Sequence, residues 1–305
     1  MLLDDVRESI HWRIPAFQHA MSNFFLSIKG FILQNRVNTF WYTGVRNFGD
    51  LLTPSLLNEY GMTPFNIKTS GVDGEQKLSL LDFVGVGSIL QRINSDFRGI
   101  ILGSGLIREE SGKQFARAMI LGLRGELTKK CIGCHEDVVL GDPGLLAVRL
   151  LKTRMRKKYL LGFIPHYSDE KMGLSQKFLD LSDTRIIVIS PQRSPMKVIQ
   201  DIDQCEYIVS SSLHGLIVAD SLGIPNGRLV LSDKIVGGDF KYDDYYSALG
   251  VTRGFFSPKT REPLESYLEH VYNPPVTVLE RREQLHNLFL RLKECVEFNR
   301  NNRRD

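Results

Sequence analysis

Residues 205–226 read Cys-Glu-Tyr-Ile-Val-Ser-Ser-Ser-Leu-His-Gly-Leu-Ile-Val-Ala-Asp-Ser-Leu-Gly-Ile-Pro-Asn, and this stretch decides the fold. Tyr207, Ile208 and Val209 favour extended backbone and predict a short buried strand. Ser210, Ser211 and Ser212 then offer three residues suited to capping a helix. Leu213, Leu216, Ile217, Ala219 and Leu222 recur at helical spacing, and Gly223 before Ile224-Pro225 ends the helix. The unit is strand, serine turn, helix, with His214 in the first helical turn. Backbone N–H groups and the positive end of the helix dipole at such a turn suit a phosphate or carboxylate. A histidine beside that anion can also move a proton. An ordinary strand–helix unit with a histidine at its cap fits the same pattern equally well.

Working outward, the same alternation recurs. Residues 37–43 are rich in β-formers and predict the first strand, which runs into Gly44-Val45-Arg46-Asn47-Phe48-Gly49-Asp50. A helix follows over 51–60, closed by Gly61. Asp50 is then either a plain N-cap or a polar group at the mouth of a sheet. Strands over 82–86 and 99–102 end in Gly85-Val86-Gly87-Ser88 and Gly103-Ser104-Gly105. Neither turn fits a dinucleotide fingerprint or a P-loop. Together they keep strand ends clear of side chains, as where a ligand approaches backbone. Residues 118–123 predict another strand before Arg124-Gly125-Glu126, and residues 138–140 one more before Gly141-Asp142-Pro143-Gly144.

The second half repeats the rhythm, with strands over 159–164, 185–189 and 228–231 beside the central one. His166 follows the first of these, at an edge where parallel sheets bind ligands, though a structural role suits it as well. Strands alternating with helices imply an α/β fold with parallel sheets. Five basic residues among 152–158 mark a solvated connector, so the expected domains are 1–155 and 156–305. Residues 240–246, Phe-Lys-Tyr-Asp-Asp-Tyr-Tyr, carry side chains suited to sugar stacking and hydroxyl contacts. From about Pro275 a long helix is expected, with a seam of Leu279, Leu285, Leu288, Phe289, Leu292 and Val296. The tail from Asn299 onward is expected to fray.

Composition excludes several classes. With 305 residues, 42% hydrophobic and 24% charged, the chain is an ordinary globular one, and a net charge of +4 is too mild to argue for nucleic acid. Four cysteines make no disulfide framework and suit a reducing compartment. Cys131-Ile132-Gly133-Cys134-His135 matches the c-type haem pattern in form, but a second ligand pair for zinc is lacking, and a helix-to-strand loop is the expectation. The opening Met-Leu-Leu-Asp-Asp is acidic where a secretory leader is basic, so a cytoplasmic location is expected. Residues 1–36 mix Trp12, Phe17, Phe24, Phe25 and Phe31 with Arg13, Lys29 and Arg36. Either a helix packed on the first domain or a segment lying on the inner membrane face fits them.

Three motifs carry a resemblance. Residues 212–225 resemble the C-terminal signature of the polysaccharide pyruvyltransferase family, Asn47-Phe48-Gly49-Asp50 resembles its N-terminal signature, and Gly141-Asp142-Pro143-Gly144 is also similar. Many members have arginine where Ser212 stands here. The resemblance implies the two-domain, GT-B-like arrangement of two Rossmann-like units facing a cleft. It also implies transfer of a pyruvyl group from phosphoenolpyruvate to a sugar, on an acceptor that can be lipid-linked, with no cofactor or metal. A nucleotide-sugar glycosyltransferase is the alternative that shares the fold, and a non-catalytic sugar-binding module is a further one. On this reading His214 is the acid/base and Asp50 a second proton-transfer group. Arg124, matching the family's arginine, joins the Ser210, Ser211 and Ser212 turn as the anion site. Asn47, Gly49, Ser88, Ser104, His166, Gly215, Lys241 and Asp244 are the remaining candidates for substrate contact.

Overall fold

The computed structural model describes residues 35–67 and 80–303. The amphipathic stretch before residue 35 lies outside the described residues. Two parallel sheets organise the rest. The first contains β1 (Arg36–Thr39), β2 (Thr63–Asn66), β3 (Phe83–Val84), β4 (Ile100–Ser104), β5 (Met119–Leu123) and β6 (Val139–Leu140), in the order β2-β1-β3-β4-β5-β6. The second contains β7 (Tyr159–Ile164), β8 (Ile186–Val188), β9 (Cys205–Ser210), β10 (Asn226–Leu229) and β11 (Phe255–Phe256), in the order β11-β10-β9-β7-β8. Every strand pairing within the two sheets is parallel, so the α/β expectation holds. β2 contains Pro64, which hides it in the sequence; at the sheet's edge the missing N–H removes no ladder bond.

Parallel pairing requires crossovers, and helices supply them. α1 (Leu52–Glu59) and α2 (Glu126–Cys131) serve the first sheet. α3 (Tyr167–Lys171), α4 (Leu174–Phe178), α5 (Pro195–Asp203), α6 (Leu213–Leu222), α7 (Phe240–Ala248) and α8 (Leu264–Leu268) accompany the second. A 3₁₀ segment, Pro143–Leu150, lies between the sheets in sequence and packs against both α1 and α6. One continuous core therefore crosses the join. It holds Val37, Phe48, Leu52, Leu56 and Phe83 from the first half and Ile164, Ile208, Leu216, Ile217 and Val218 from the second. Residues 152–158 are exposed, as expected of a connector, with Arg154 and Lys157 anchored to Asp203 and the Cys205 carbonyl.

The last helix, α9 (Thr277–Asn302), follows the second sheet in sequence but packs on the first. Its seam is Val278, Leu285, Phe289, Leu292 and Val296; Leu279, expected in the seam, is exposed and Val278 takes its place. Phe289 meets Phe83 edge-on at 6.1 Å and Tyr60 at 5.1 Å between ring centres. Residues 299–303 do not fray. Arg300 pairs with the buried Asp82, its Nε donating at 3.0 Å, and donates to the Arg36 carbonyl at 2.8 Å; Arg303 donates to the Leu81 carbonyl at 3.0 Å. Charge pairing to a buried acid overrides the polar composition that suggested fraying. Tyr242, Tyr245 and Tyr246 are likewise buried on α7, so they are core residues and not a sugar-stacking surface. Among the described residues no helix is long and apolar enough to cross a membrane.

Arg300→Ala should lower unfolding stability by about 1–2 kcal/mol, the Arg being one-third exposed and its bonds charge-assisted. Urea denaturation measures it. A midpoint equal to wild type would show that the clasp on Asp82 contributes nothing.

Candidate active site

All ten residues of α6 are buried, including His214. An apolar helix with no polar face must be covered on every side, and β9, α5, β10, the 3₁₀ segment and α9 cover it. Gly223 closes it in the left-handed conformation, φ 72°, as expected. At its other end Ser212 occupies the N-cap without a side-chain cap bond. The hydroxyls of the two preceding serines face inward. Ser210 Oγ donates within reach of the Ile164 and Ser212 carbonyls and accepts from Ser212 N at 2.9 Å. Ser211 Oγ donates to Asp169 at 2.6 Å and accepts from His166 N at 2.8 Å. Ser210 and Ser211 thus hold the turn to its neighbours, while Ser212, also buried, caps nothing with its side chain.

The loop after β1 packs directly onto His214. Asn47 Oδ1 accepts from Gly49 N at 3.0 Å, a turn that carries Gly49 under the imidazole. A Cβ at Gly49 would stand 2.1 Å from His214 Nδ1, so only glycine fits. Phe48 N, next to it, donates to the Pro191 carbonyl of the second half at 2.8 Å. The other ring nitrogen, Nε2, faces Asp142 Oδ2 at 3.9 Å, and both atoms are buried without a hydrogen-bond partner. Leaving such atoms unpaired costs on the order of 1–3 kcal/mol each. Burial, then the charges of Arg124 and Lys241, hold the His214 pKa down at about 3. Asp142 caps the 3₁₀ segment, its Oδ1 accepting from Gly144 N at 2.8 Å, and burial raises its pKa to about 6.

Asp50 does not cap α1, whose N-cap is Leu51 without a side-chain bond. Its carboxylate lies instead beside Gly87, where an added Cβ would approach Oδ1 at 3.7 Å. Burial raises its pKa to about 7, opposed by the charges of Lys241 and Arg92. Lys241 is buried, makes no hydrogen bond or ion pair among the described residues, and has its pKa lowered to about 8 by burial and then by Arg124 and Arg228. The structure thus brings His214, Asp50, Lys241, Gly49 and Ser212 to the meeting of the two sheets' carboxyl ends, and adds Asp142.

Other expected contacts are turned inward. Arg124 is fully buried: Nε donates to Asp244 at 2.8 Å, Nη2 to the Leu106 carbonyl, and Nη1 to Ser88 Oγ. Asp244, on α7, also accepts from Thr128 N and Oγ1, each at 2.7 Å. The expected anion clamp is therefore a strut between the two halves, and Asp244 is its counter-charge and not a substrate contact. A guanidinium that deep needs a carboxylate, and α7 supplies it. Ser104 Oγ holds the Gly87 carbonyl at 2.9 Å, and a Cβ at Gly215 would stand 2.4 Å from Ser210 Oγ, so both are packing residues. His166 caps α3 through Ser168, and burial lowers its pKa to about 3.

The profile of the family described as polysaccharide pyruvyl transferase matches residues 47–229, more than half of the chain. The chain belongs to the polysaccharide pyruvyl transferase family. It is 30% identical over 177 residues to succinoglycan biosynthesis protein ExoV of Rhizobium meliloti (strain 1021), covering 55% of this chain and 54% of that protein. It is 33% identical over 177 residues to the uncharacterized protein L143 of Acanthamoeba polyphaga mimivirus, covering 55% and 60%. The match thus spans little more than half the length of these relatives. Among solved structures, wall teichoic acid polymerase TagF aligns over 95% of this chain and 98% of its own, with a TM-score of 0.42 and 9% identity. A likeness that loose carries no argument.

Within this pyruvyl transferase-family chain, Asp142 joins the candidate site from a Gly-Asp-Pro-Gly motif that by itself gives the aspartate no distinct role. An acid directly after a strand, at the carboxyl edge of a parallel sheet, was the available signal. The Arg124–Asp244 strut yields a stability test. Asp244→Ala should destabilise by about 3–5 kcal/mol, because a guanidinium is left buried and unpaired. The double variant with Arg124→Met should lose less than the two single losses added together. Additive losses in urea melts would show that the two side chains act independently.

Proposed function

We propose that the protein transfers a pyruvyl group from phosphoenolpyruvate to a sugar of a cell-surface polysaccharide or its precursor and forms a pyruvate ketal. The observation that carries this reading is that Lys241 stands close enough for its charge to act on both His214 and Asp50, in a chain of this family. The name of the Rhizobium relative, a succinoglycan biosynthesis protein, supports a polysaccharide acceptor.

The chemistry follows from the protonation states. The donor's methylene carbon must gain a proton, which leaves an oxocarbenium-like centre at C2. One sugar hydroxyl adds there and gives up its proton. A second hydroxyl displaces phosphate and closes the ketal; its proton restores the general acid, and phosphate carries away the proton of the first hydroxyl. Asp50, with a pKa of about 7, holds a proton to give at neutral pH. His214, with a pKa of about 3, is neutral and able to accept one from the attacking hydroxyl. Lys241, buried and without an ionic partner, gains one when the donor's phosphate or carboxylate arrives. The backbone at the N-terminus of α6 offers further N–H groups to that anion. Arg124 contributes charge from behind this surface.

Phosphoenolpyruvate at about 100 times its Kd should stabilise the native state by about 2.7 kcal/mol in a thermal-shift experiment, whereas nucleotide sugars should not. The opposite pattern would favour a nucleotide-sugar glycosyltransferase. Asp50→Asn and His214→Ala should each lower kcat by about 10²–10⁴-fold, and Lys241→Ala should mainly raise KM for phosphoenolpyruvate. Unchanged kcat in a folded His214→Ala protein would remove it from the mechanism.

A pH profile tests the assignment separately. A general acid works only while protonated, so turnover should fall as pH rises through about 7. That limb should vanish in Asp50→Asn. Its persistence there would transfer the acid role to another group.

A further inference from the structure

His214 has a face that the steps above leave unused. Its Nε2 is buried without a hydrogen-bond partner, and Asp142 Oδ2, 3.9 Å away, is equally orphaned. Buried polar atoms are nearly always satisfied, so two orphans that face one another call for a joint explanation. A bridging water would need roughly 4.5 Å between the outer atoms, the span of two hydrogen bonds at a tetrahedral angle. At 3.9 Å the gap is too short for that bridge, and a turn of the imidazole that closes about 1 Å makes it a direct bond. The carboxylate is also fixed in place, since its Oδ1 accepts from Gly144 N at the start of the 3₁₀ segment.

We infer that Asp142 is the positioning residue of His214: Asp142 Oδ2 accepts the Nε2 hydrogen, so that Nδ1, along Gly49, is the nitrogen that takes the sugar hydroxyl's proton. This rests on the pyruvyl-transfer reading. As the sugar oxygen bonds to C2 of the donor, its O–H bond breaks and the proton passes to Nδ1. The imidazolium then lies between the Asp142 carboxylate and the departing phosphate, to which Nδ1 returns the proton. The need for a carboxylate is electrostatic. Arg124 and Lys241 both oppose a positive charge on the ring, and among the described residues Asp142 is the one carboxylate within 4 Å of it. Burial raises the Asp142 pKa to about 6 with help from Asp244, while the backbone of Gly144, the charge of Arg124 and the backbone of Gly87 pull it back toward the ionised form. An aspartate behind a histidine acts by fixing its tautomer and stabilising the ring's positive charge.

The test uses the full chain with ¹⁵N-labelled histidine, and the resonances absent in His214→Gln identify His214. Asp142→Asn keeps the oxygen that Gly144 N binds and puts an amide where Oδ2 was. Wild type should show the Nε2–H tautomer, and Asp142→Asn should switch it to Nδ1–H. With the switch, kcat should fall by about 10²–10⁴-fold. KM for phosphoenolpyruvate should stay within about threefold and the melting temperature within about 2 °C. An unchanged tautomer overturns the inference, and so does a switched tautomer with wild-type kcat. Should wild type fail to turn over phosphoenolpyruvate, the pyruvyl-transfer reading fails, while the tautomer, measured without substrate, still decides the Asp142 contact.

Discussion

The structure depends on the complete burial of α6. A ten-residue helix with no solvated face cannot rest on one sheet alone, because one layer leaves half of its surface in water. The chain covers it with strands of the second sheet, the 3₁₀ segment that follows the first sheet, and α9 returning from the C-terminus. This is why one hydrophobic cluster runs through both halves. It also fixes His214, which stands on the first turn of a helix buried at all ten positions.

Around that helix the charges are arranged by desolvation more than by pairing. Burial pushes Asp50 and Asp142 up, and His214 and Lys241 down, so each is drawn toward its neutral form. Removing water is the largest cause in all four. In the proposed function such a site suits an anionic donor, whose charge supplies what the missing water no longer does. Arg124 is the exception. Asp244 reaches its guanidinium from the opposite half, and the resulting pair joins the loop that carries Ser88 and the helix that carries Thr128 to α7.

Two close backbone approaches complete the frame. Gly49 lies against the imidazole of His214, and Gly125 lies where a Cβ would meet the Asp244 carbonyl at 1.7 Å. Both allow elements of one half to touch side chains or backbone of the other. The hydrogen bond from Tyr242 to the Ser211 carbonyl, at 2.7 Å, locks the serine turn from the same side.

The sequence by itself determined the alternation of strands and helices, the bounds of α6, the long α9 and the motifs at the sheets' carboxyl ends. These follow from local periodicity and from glycine and proline, which act within a few residues. It could not reveal β2, whose Pro64 is harmless only at a sheet edge, nor the return of α9 to the first sheet. Nor could it separate the polar residues that face the site from those that hold it together. Arg124, Asp244, Ser210 and Ser211 sit in motifs as suggestive as that of His214, yet their partners lie 18 to 120 residues away in sequence or across the turn. Whether a buried polar group binds a ligand or a neighbour depends on what the fold brings within 3 Å of it. Tertiary structure alone decided that, and it alone set Asp142 opposite the unpartnered nitrogen of His214.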